Sequence, residues 1–498
     1  MKFINFHNKI DKSVILNNSL KYDIVIVGTG IASYFLSLKL HKKFKILLIE
    51  KGNFDDKILD KNSIINKGKI KLKPNTVNES VGGTSNLWSG NLCEYTENEF
   101  YSNGINLWPF KSELKILYKE AWKLLGVNFR KTLPPNYVID KFQVRKIITQ
   151  YLPTRTRNKF KYLNIDLLIN ANVDSVGENH HPFIVINKQK ILFKKIILAT
   201  GGLRTINIIG NSITNKYLDL NLYDDFVGKS YMNHPKFRLK NYVIPNNNEK
   251  IIKKYEKNNY NFFGYSLPNH IQKNNNLNNS YFRMHPNFID EDNRYFIISK
   301  FIFSNKKNLL KNFFKFNFKS KYFFELYNLL RKYNFNFFTF LINYNFYYYL
   351  LFFFGVLSLK VKSYDIEFFL ELTQNKLNTI NFQNNKIITN INLSKKEIDT
   401  IKYLNSMIYN NFSKNHTVSL EYKNISFDKL IINDASHHIG GLVLKNFNNN
   451  GFIDKNFKVL NTKNIYIIGS SIFPTAGSCN PTLTIVALVI KLTKHLIK

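Results

Sequence analysis

The stretch that most constrains the fold is "YDIVIVGTGIASYFLSLKLHKKFKILLIEKG", residues 22–52. "DIVIVG" is a short β-branched run without polar alternation, as expected of a strand buried on both faces. Gly28 and Gly30 then make a tight turn, a helix is predicted from about Ile31 to His41, and "KILLIE" is a second strand ending in Glu50. A strand–helix–strand unit of this kind binds a dinucleotide. Its glycines, with Ile31 and Ala32 opening the helix, let backbone N–H groups approach a pyrophosphate, and the acid accepts from ribose hydroxyls. The third glycine of the fingerprint is replaced by Ser33, which is small enough for close helix–strand packing. Nothing in this unit alone separates FAD from NAD.

Further segments extend the pattern. "ESVGGTSNLWSGN" (79–91) is a second glycine-rich loop, and residues 108–127 read as an amphipathic helix. "LLINANVDSV" resembles a strand, and "KKIILATGGLRTINIIGNS" (194–212) a strand, glycine turn and helix, with "VGKSYMNHP" (227–235) next. The C-terminal "NIYIIGSSIFPTAGSCNPTLTIVALVIKLTKHLI" is a strand, a loop and a helix starting near Pro481, whose missing N–H costs nothing in a first turn. Before it, "NDASHHIGGLVL" (433–444) puts His437 beside His438. Neighbours in extended chain point to opposite sides, so at most one would face a shared site.

Together these segments resemble the glucose–methanol–choline (GMC) oxidoreductases, FAD enzymes that oxidise alcohols. The resemblance is strong over residues 20–130, 165–235 and 430–498. It implies an α/β fold in which residues 18–235 and 430–498 build a Rossmann-like FAD-binding domain in two parts. A sheet-plus-helix substrate domain, 236–429, is inserted between them. It also implies that Gly28, Gly30, Ile31, Ala32 and Glu50 hold the FAD pyrophosphate and ribose. Gly82, Gly83, Thr84, Asn86, Leu87, Trp88, Gly90 and Asn91 belong to a loop against the flavin, and the backbone at Val173 meets the adenine end. Ala199 and Gly201 lie at the central strand–helix turn. Gly469, Ser470, Pro481 and Thr482 bring the last helix to the flavin, where the helix dipole stabilises negative charge.

The family's chemistry needs a base for the hydroxyl proton and a histidine or asparagine on the substrate oxygen. His437–His438–Ile439–Gly440 matches the family's His-x-x-Gly stretch with His437 first, and Asn480 stands at the second position. Asparagine cannot titrate, so histidine is the base of that pair. His438 is the rival for this role or a support to it, and His234 is read as structural. Some members attach FAD through a histidine where this chain has Leu87, so FAD is expected to be non-covalent. After Gly440 the chain continues "GLVL" where the family usually has polar residues. That departure motivates a second reading, a catalytically impaired FAD-binding or membrane-associated partner protein. An NAD-linked dehydrogenase would leave the second loop and last helix without a task.

Composition matters less. The net charge of +37 comes from 71 Lys and Arg against 34 Asp and Glu. The lysines are scattered along the chain, with no nucleic-acid motif, and read as solvated surface. Cys93 and Cys479 are too few for a disulfide framework and are read as small buried residues. No metal site is predicted. The first twenty residues have no secretory pattern, so a cytoplasmic location is expected.

In the middle, the Asn-rich stretch 256–281 suggests loops, residues 364–394 alternating strands, and 393–412 a helix capped by Ser394. Residues 305–359 combine lysines with aromatics, and no charge falls between Tyr333 and Leu359. One reading is a helix buried in the substrate domain. The other is peripheral contact with the inner face of a membrane, where a reduced flavoprotein could pass electrons to a quinone. Oxygen or a carrier protein are the other acceptors open to such an enzyme. The expected substrate is a small alcohol, sugar or polyol.

Overall fold

The computed structural model describes residues 2–5, 19–102, 104–127, 138–139, 141–149, 154–218, 227–246, 261–314, 316–318, 320–336, 341–353, 357, 359–384, 386–427, 430–442, 444 and 451–498. Six strands form one parallel sheet. They are β1 (Lys2–Asn5), β2 (Ile24–Val27), β3 (Ile46–Ile49), β4 (Asp166–Ile169), β5 (Ile196–Leu198) and β6 (Ile465–Ile467), in the order β1-β4-β3-β2-β5-β6. β2, β3, β5 and β6 are buried along their whole length, which is why each reads as an unbroken apolar run.

Three helices start at one end of this sheet: α1 (Ile31–Leu40) after β2, α2 (Gly201–Thr214) after β5 and α3 (Thr482–Ile497) after β6. Gly28 turns between β2 and α1 at φ 94°, and a Cβ there would meet the Ala199 carbonyl oxygen at 2.7 Å. Glycine is therefore required where β2 leaves the side of β5. Ser33 is fully buried, as its small-residue position demands.

The second sheet has eight strands, all antiparallel. Its order is Thr417–Val418, Lys236–Ile244, Val361–Phe369, Tyr281–Phe288, Asn261–Ser266, Phe142–Thr149 and Asn91–Leu92, with Val138–Ile139 paired beside Phe142–Thr149. Strands on either side of residue 236 in sequence thus share this sheet. The hairpin Thr379–Gln383 and Lys386–Asn390 leaves it, pairing instead with Ile64–Asn66. The helix Lys395–Phe412 carries the expected cap, a Ser394–Glu397 capping box.

The Asn-rich stretch differs from the predicted loops. Residues 256–260 lie outside the described residues; the rest is the strand Asn261–Ser266 and the short helix Asn269–Asn274, then a segment leading into Tyr281–Phe288. Internal partners replace water here: Asn278 Nδ2 donates to the Glu371 carbonyl at 2.7 Å, and the Asn279 N–H to the Glu371 carboxylate at 2.7 Å. The charge-free run 333–359 lies partly outside the described residues, as do residues 6–18 and Val443. Its described part includes the ten-residue helix Tyr344–Phe353, which buries Phe346 and Tyr349. Among the described residues no helix is long and apolar enough to cross a membrane.

Candidate active site

The two glycine-rich loops, the starts of α1, α2 and α3, and the His437 segment enclose a cavity of about 660 Å³. Gly28, Gly30, Ile31, Ala32, Glu50, Gly83, Thr84, Leu87, Trp88, Val173, Ala199, Gly201, Gly469, Ser470, Pro481 and Thr482 line it, together with His437, His438 and Asn480. Gly82, Asn86, Gly90 and Asn91 do not. Gly82 and Asn86 shape the second loop, with Asn86 Nδ2 donating to the Val81 carbonyl at 2.9 Å, and Asn91 begins a strand of the large sheet.

None of the three helices has a side chain capping its first N–H groups. A Cβ added at Gly30, Gly201 or Gly469 would meet no atom within 4 Å. The starts of α1 and α2 and the turn after β6 therefore open onto empty space, with donors and dipoles suited to an anionic ligand. A dinucleotide fits this donor set.

At one end Glu50 is buried, and desolvation pushes its carboxyl from the ordinary 4.5 up to about 7, against the pull of hydrogen bonds from Thr29 and Gly52. Thr29 Oγ1 donates to Glu50 at 2.6 Å and accepts the Gly82 N–H at 2.9 Å, tying the first loop to both the acid and the second loop. Lys51 and Arg204 both pair with Glu79 on the same wall. Sequence reasoning passed over Thr29, Lys51, Glu79 and Arg204; only the position of Thr29 inside the glycine turn could have drawn attention to it.

At the other end, His437 Nε2 lies 3.0 Å from Asn480 Nδ2, and its Nδ1 lies 2.8 Å from His234 Nδ1. His234 Nε2 faces the Ala476 carbonyl at 3.2 Å. A carbonyl can only accept, so His234 Nε2 carries the proton and its Nδ1 accepts from His437 Nδ1–H. His437 Nε2 is then a lone pair beside the Asn480 amide. Burial, then the charges of His234, His438, Lys236 and Arg283, hold His437 well below its usual pKa of 6.5, so it is neutral at physiological pH.

His438 turns the other way. Its Nδ1 accepts from the Tyr231 hydroxyl at 2.7 Å and its Nε2 donates to Thr76 Oγ1 at 2.8 Å. Both nitrogens are thus engaged in packing, and its carbonyl accepts from Ser470 Oγ. The pair Tyr231–Met232 with Ile439–Gly440 joins the two histidine segments.

The loop carrying Asn480 is held from below. Glu99, fully buried, accepts from the Ser478 N–H at 2.5 Å and the Thr96 N–H at 2.6 Å, while Tyr95 donates to the Ala476 carbonyl at 2.6 Å. Trp108 Nε1 donates to Thr475 Oγ1 at 2.7 Å.

The family model described as GMC oxidoreductase matches residues 386–488, which contain His437, His438 and Asn480. Over that stretch the chain is similar to the GMC oxidoreductases. A fungal aryl-alcohol oxidase structure aligns with a TM-score of 0.51 at 12% identity, covering 96% of this chain and 100% of that one. Pyridoxine 4-oxidase from Mesorbium loti aligns with a TM-score of 0.52 at 10% identity, covering 95% and 98%. Both share the fold, a Rossmann-type sheet with an added antiparallel sheet. An uncharacterized protein of Methanocaldococcus jannaschii is 25% identical over 228 residues, 41% of this chain. The chain spans 55% of the length of that curated relative.

Within this GMC fold, the apolar residues after Gly440 have a plain packing reason. Leu442 and Leu444 are buried in the core, and neither lines the cavity. Gly441, at φ 85°, would drive a Cβ to 2.4 Å from Ile206. His180 and His181 are exposed, and Cys93 and Cys479 are buried free thiols.

Proposed function

We propose that the chain binds FAD non-covalently in this cavity and oxidises a small alcohol, sugar or polyol. The observation that carries the reading is the His437–Asn480 contact at the end of a cavity walled by three uncapped helix starts. FAD would be held by the backbone of α1 and the first loop, by Glu50 at the ribose, and by the start of α3. Bound FAD supplies the acceptor for the hydride that leaves the substrate carbon. His437 Nε2 takes the hydroxyl proton, Asn480 donates to the substrate oxygen, and His234 keeps the lone pair of His437 aimed at the site.

Leu87, 40% exposed on the cavity wall, offers no atom for a covalent flavin bond. Acid precipitation of the purified protein should therefore release the flavin. The deciding experiment mixes purified holoprotein with a panel of alcohols and sugars without oxygen. Bleaching of the flavin band by at least one of them is expected. A bound flavin that no alcohol reduces would favour the impaired, partner-protein reading. An oxygen electrode in the same screen separates an oxidase from a dehydrogenase passing electrons to a quinone or carrier.

A further inference from the structure

The helices Arg294–Phe313, Lys321–Lys332 and Tyr344–Phe353 close two small apolar cores of their own, around Ile298 and Leu326 in one and Phe296 and Tyr349 in the other. Where the first helix turns into the second, the packing is inside out. Phe313, Phe314, Phe316 and Phe318 are all exposed, Phe314 by 75% and Phe316 by 84%. Phe316 stands at φ 51°, a left-handed conformation that a bulky side chain rarely adopts. The turn thus holds its most exposed ring outward against backbone preference.

The surroundings are strongly basic. Between residues 294 and 332 the sequence carries ten Lys and Arg against a single acid, Glu325. Like charge on this scale opposes a second copy of the same surface. The rings also pack edge to face on one another, Phe313 with Phe314 at 5.9 Å and with Phe318 at 6.0 Å. Such a cluster does not present the separate free faces on which successive nucleic-acid bases stack. Aromatic rings exposed at a turn between helices of lysine-rich sequence suit the headgroup layer of an anionic bilayer, where rings insert and lysines meet lipid charge.

We propose that this aromatic turn is a peripheral docking site for an anionic membrane surface, with Phe314 and Phe316 entering the headgroup layer. The proposal is independent of the redox reading, since it concerns residues outside the cavity.

The test is co-sedimentation of the full holoprotein with vesicles of phosphatidylcholine alone or mixed with phosphatidylglycerol. Binding to the anionic vesicles is expected, with release by added salt. The double change Phe314→Ser, Phe316→Ser should weaken partitioning at least tenfold while leaving bound flavin and melting temperature unchanged. A second variant, Lys306→Glu with Lys332→Glu, should weaken it by charge alone and decides the matter if the first variant melts lower. Failure to bind anionic vesicles, equal binding to neutral ones, or partitioning indifferent to both variants overturns the proposal. So does capture of a duplex DNA oligonucleotide with the same dependence on Phe316.

Discussion

His234 Nδ1 lies 2.8 Å from His437 Nδ1, and this one contact leaves the lone pair of His437 on Nε2. The carbonyl of Ala476 orders the first ring, the first ring orders the second, and Asn480 receives the outcome. Two neutral histidines in series replace the more familiar histidine–carboxylate pair. A carboxylate would raise the pKa of the base, whereas a second imidazole leaves it low.

His437→Ala should slow anaerobic flavin reduction by about 10²–10⁴-fold, the usual worth of a positioned base. His438→Ala should leave that rate within an order of magnitude and instead lower the melting temperature, because it strands the buried Tyr231 and Thr76 hydroxyls. The reverse pattern in stopped-flow traces would make His438 the base.

His437 is depressed mainly by burial and next by His234. The ring therefore stays unprotonated as pH falls from neutral, and the reduction rate is lost only when pH drops through that lowered value. His234→Gln keeps an acceptor for His437 but removes a ring whose own protonation would oppose a second charge on His437. Its acid limb should move to higher pH, a shift that a merely structural change would not produce.

Glu50 gives a stability signal in the flavin-free protein. Its folded pKa of about 7 exceeds the ordinary 4.5, so between these values the folded state keeps a proton that the unfolded chain releases. Stability should therefore fall as pH rises through this window, by on the order of 3 kcal/mol. Glu50→Gln should remove that slope in chemical denaturation of the apoprotein, and should weaken FAD binding because a neutral amide oxygen accepts from the ribose less strongly than a carboxylate.

Glu99→Ala tests the support beneath Asn480. It removes the Glu99 acceptor from the buried Ser478 N–H, a loss of roughly 1–3 kcal/mol, and from the half-buried Thr96 N–H, a smaller one. Differential scanning should show the lowered melting temperature. A parallel drop in kcat at little-changed KM would show that the loop positions the substrate oxygen.

What could be read from the sequence followed its range of interaction. The strand–helix–strand unit at 22–52 and the C-terminal strand, loop and helix are local patterns, and both fold as expected. The geometric pairing of His437 with Asn480 came through a family resemblance; nothing in periodicity could have supplied it. His234 meets His437 across 203 residues, and Arg204 meets Glu79 across 125, so no window in the chain holds both partners. The strands Asn91–Leu92 and Phe142–Thr149 likewise join the large sheet through partners distant in sequence. The apolar residues after Gly440 are likewise explained only by distant packing, since Leu442 and Leu444 are buried in the core.

The parallel sheet places β6 next to β5, and α3 follows β6 after the loop that carries Asn480. The first wall of the cavity thus leaves the ribosome more than 400 residues before its last one. A nascent chain can form the glycine turn early, but it cannot close the pocket until residues 465–485 have been made. If the pocket takes the proposed flavin, loading must await that stretch, and a message truncated before residue 465 should yield a product that never retains flavin.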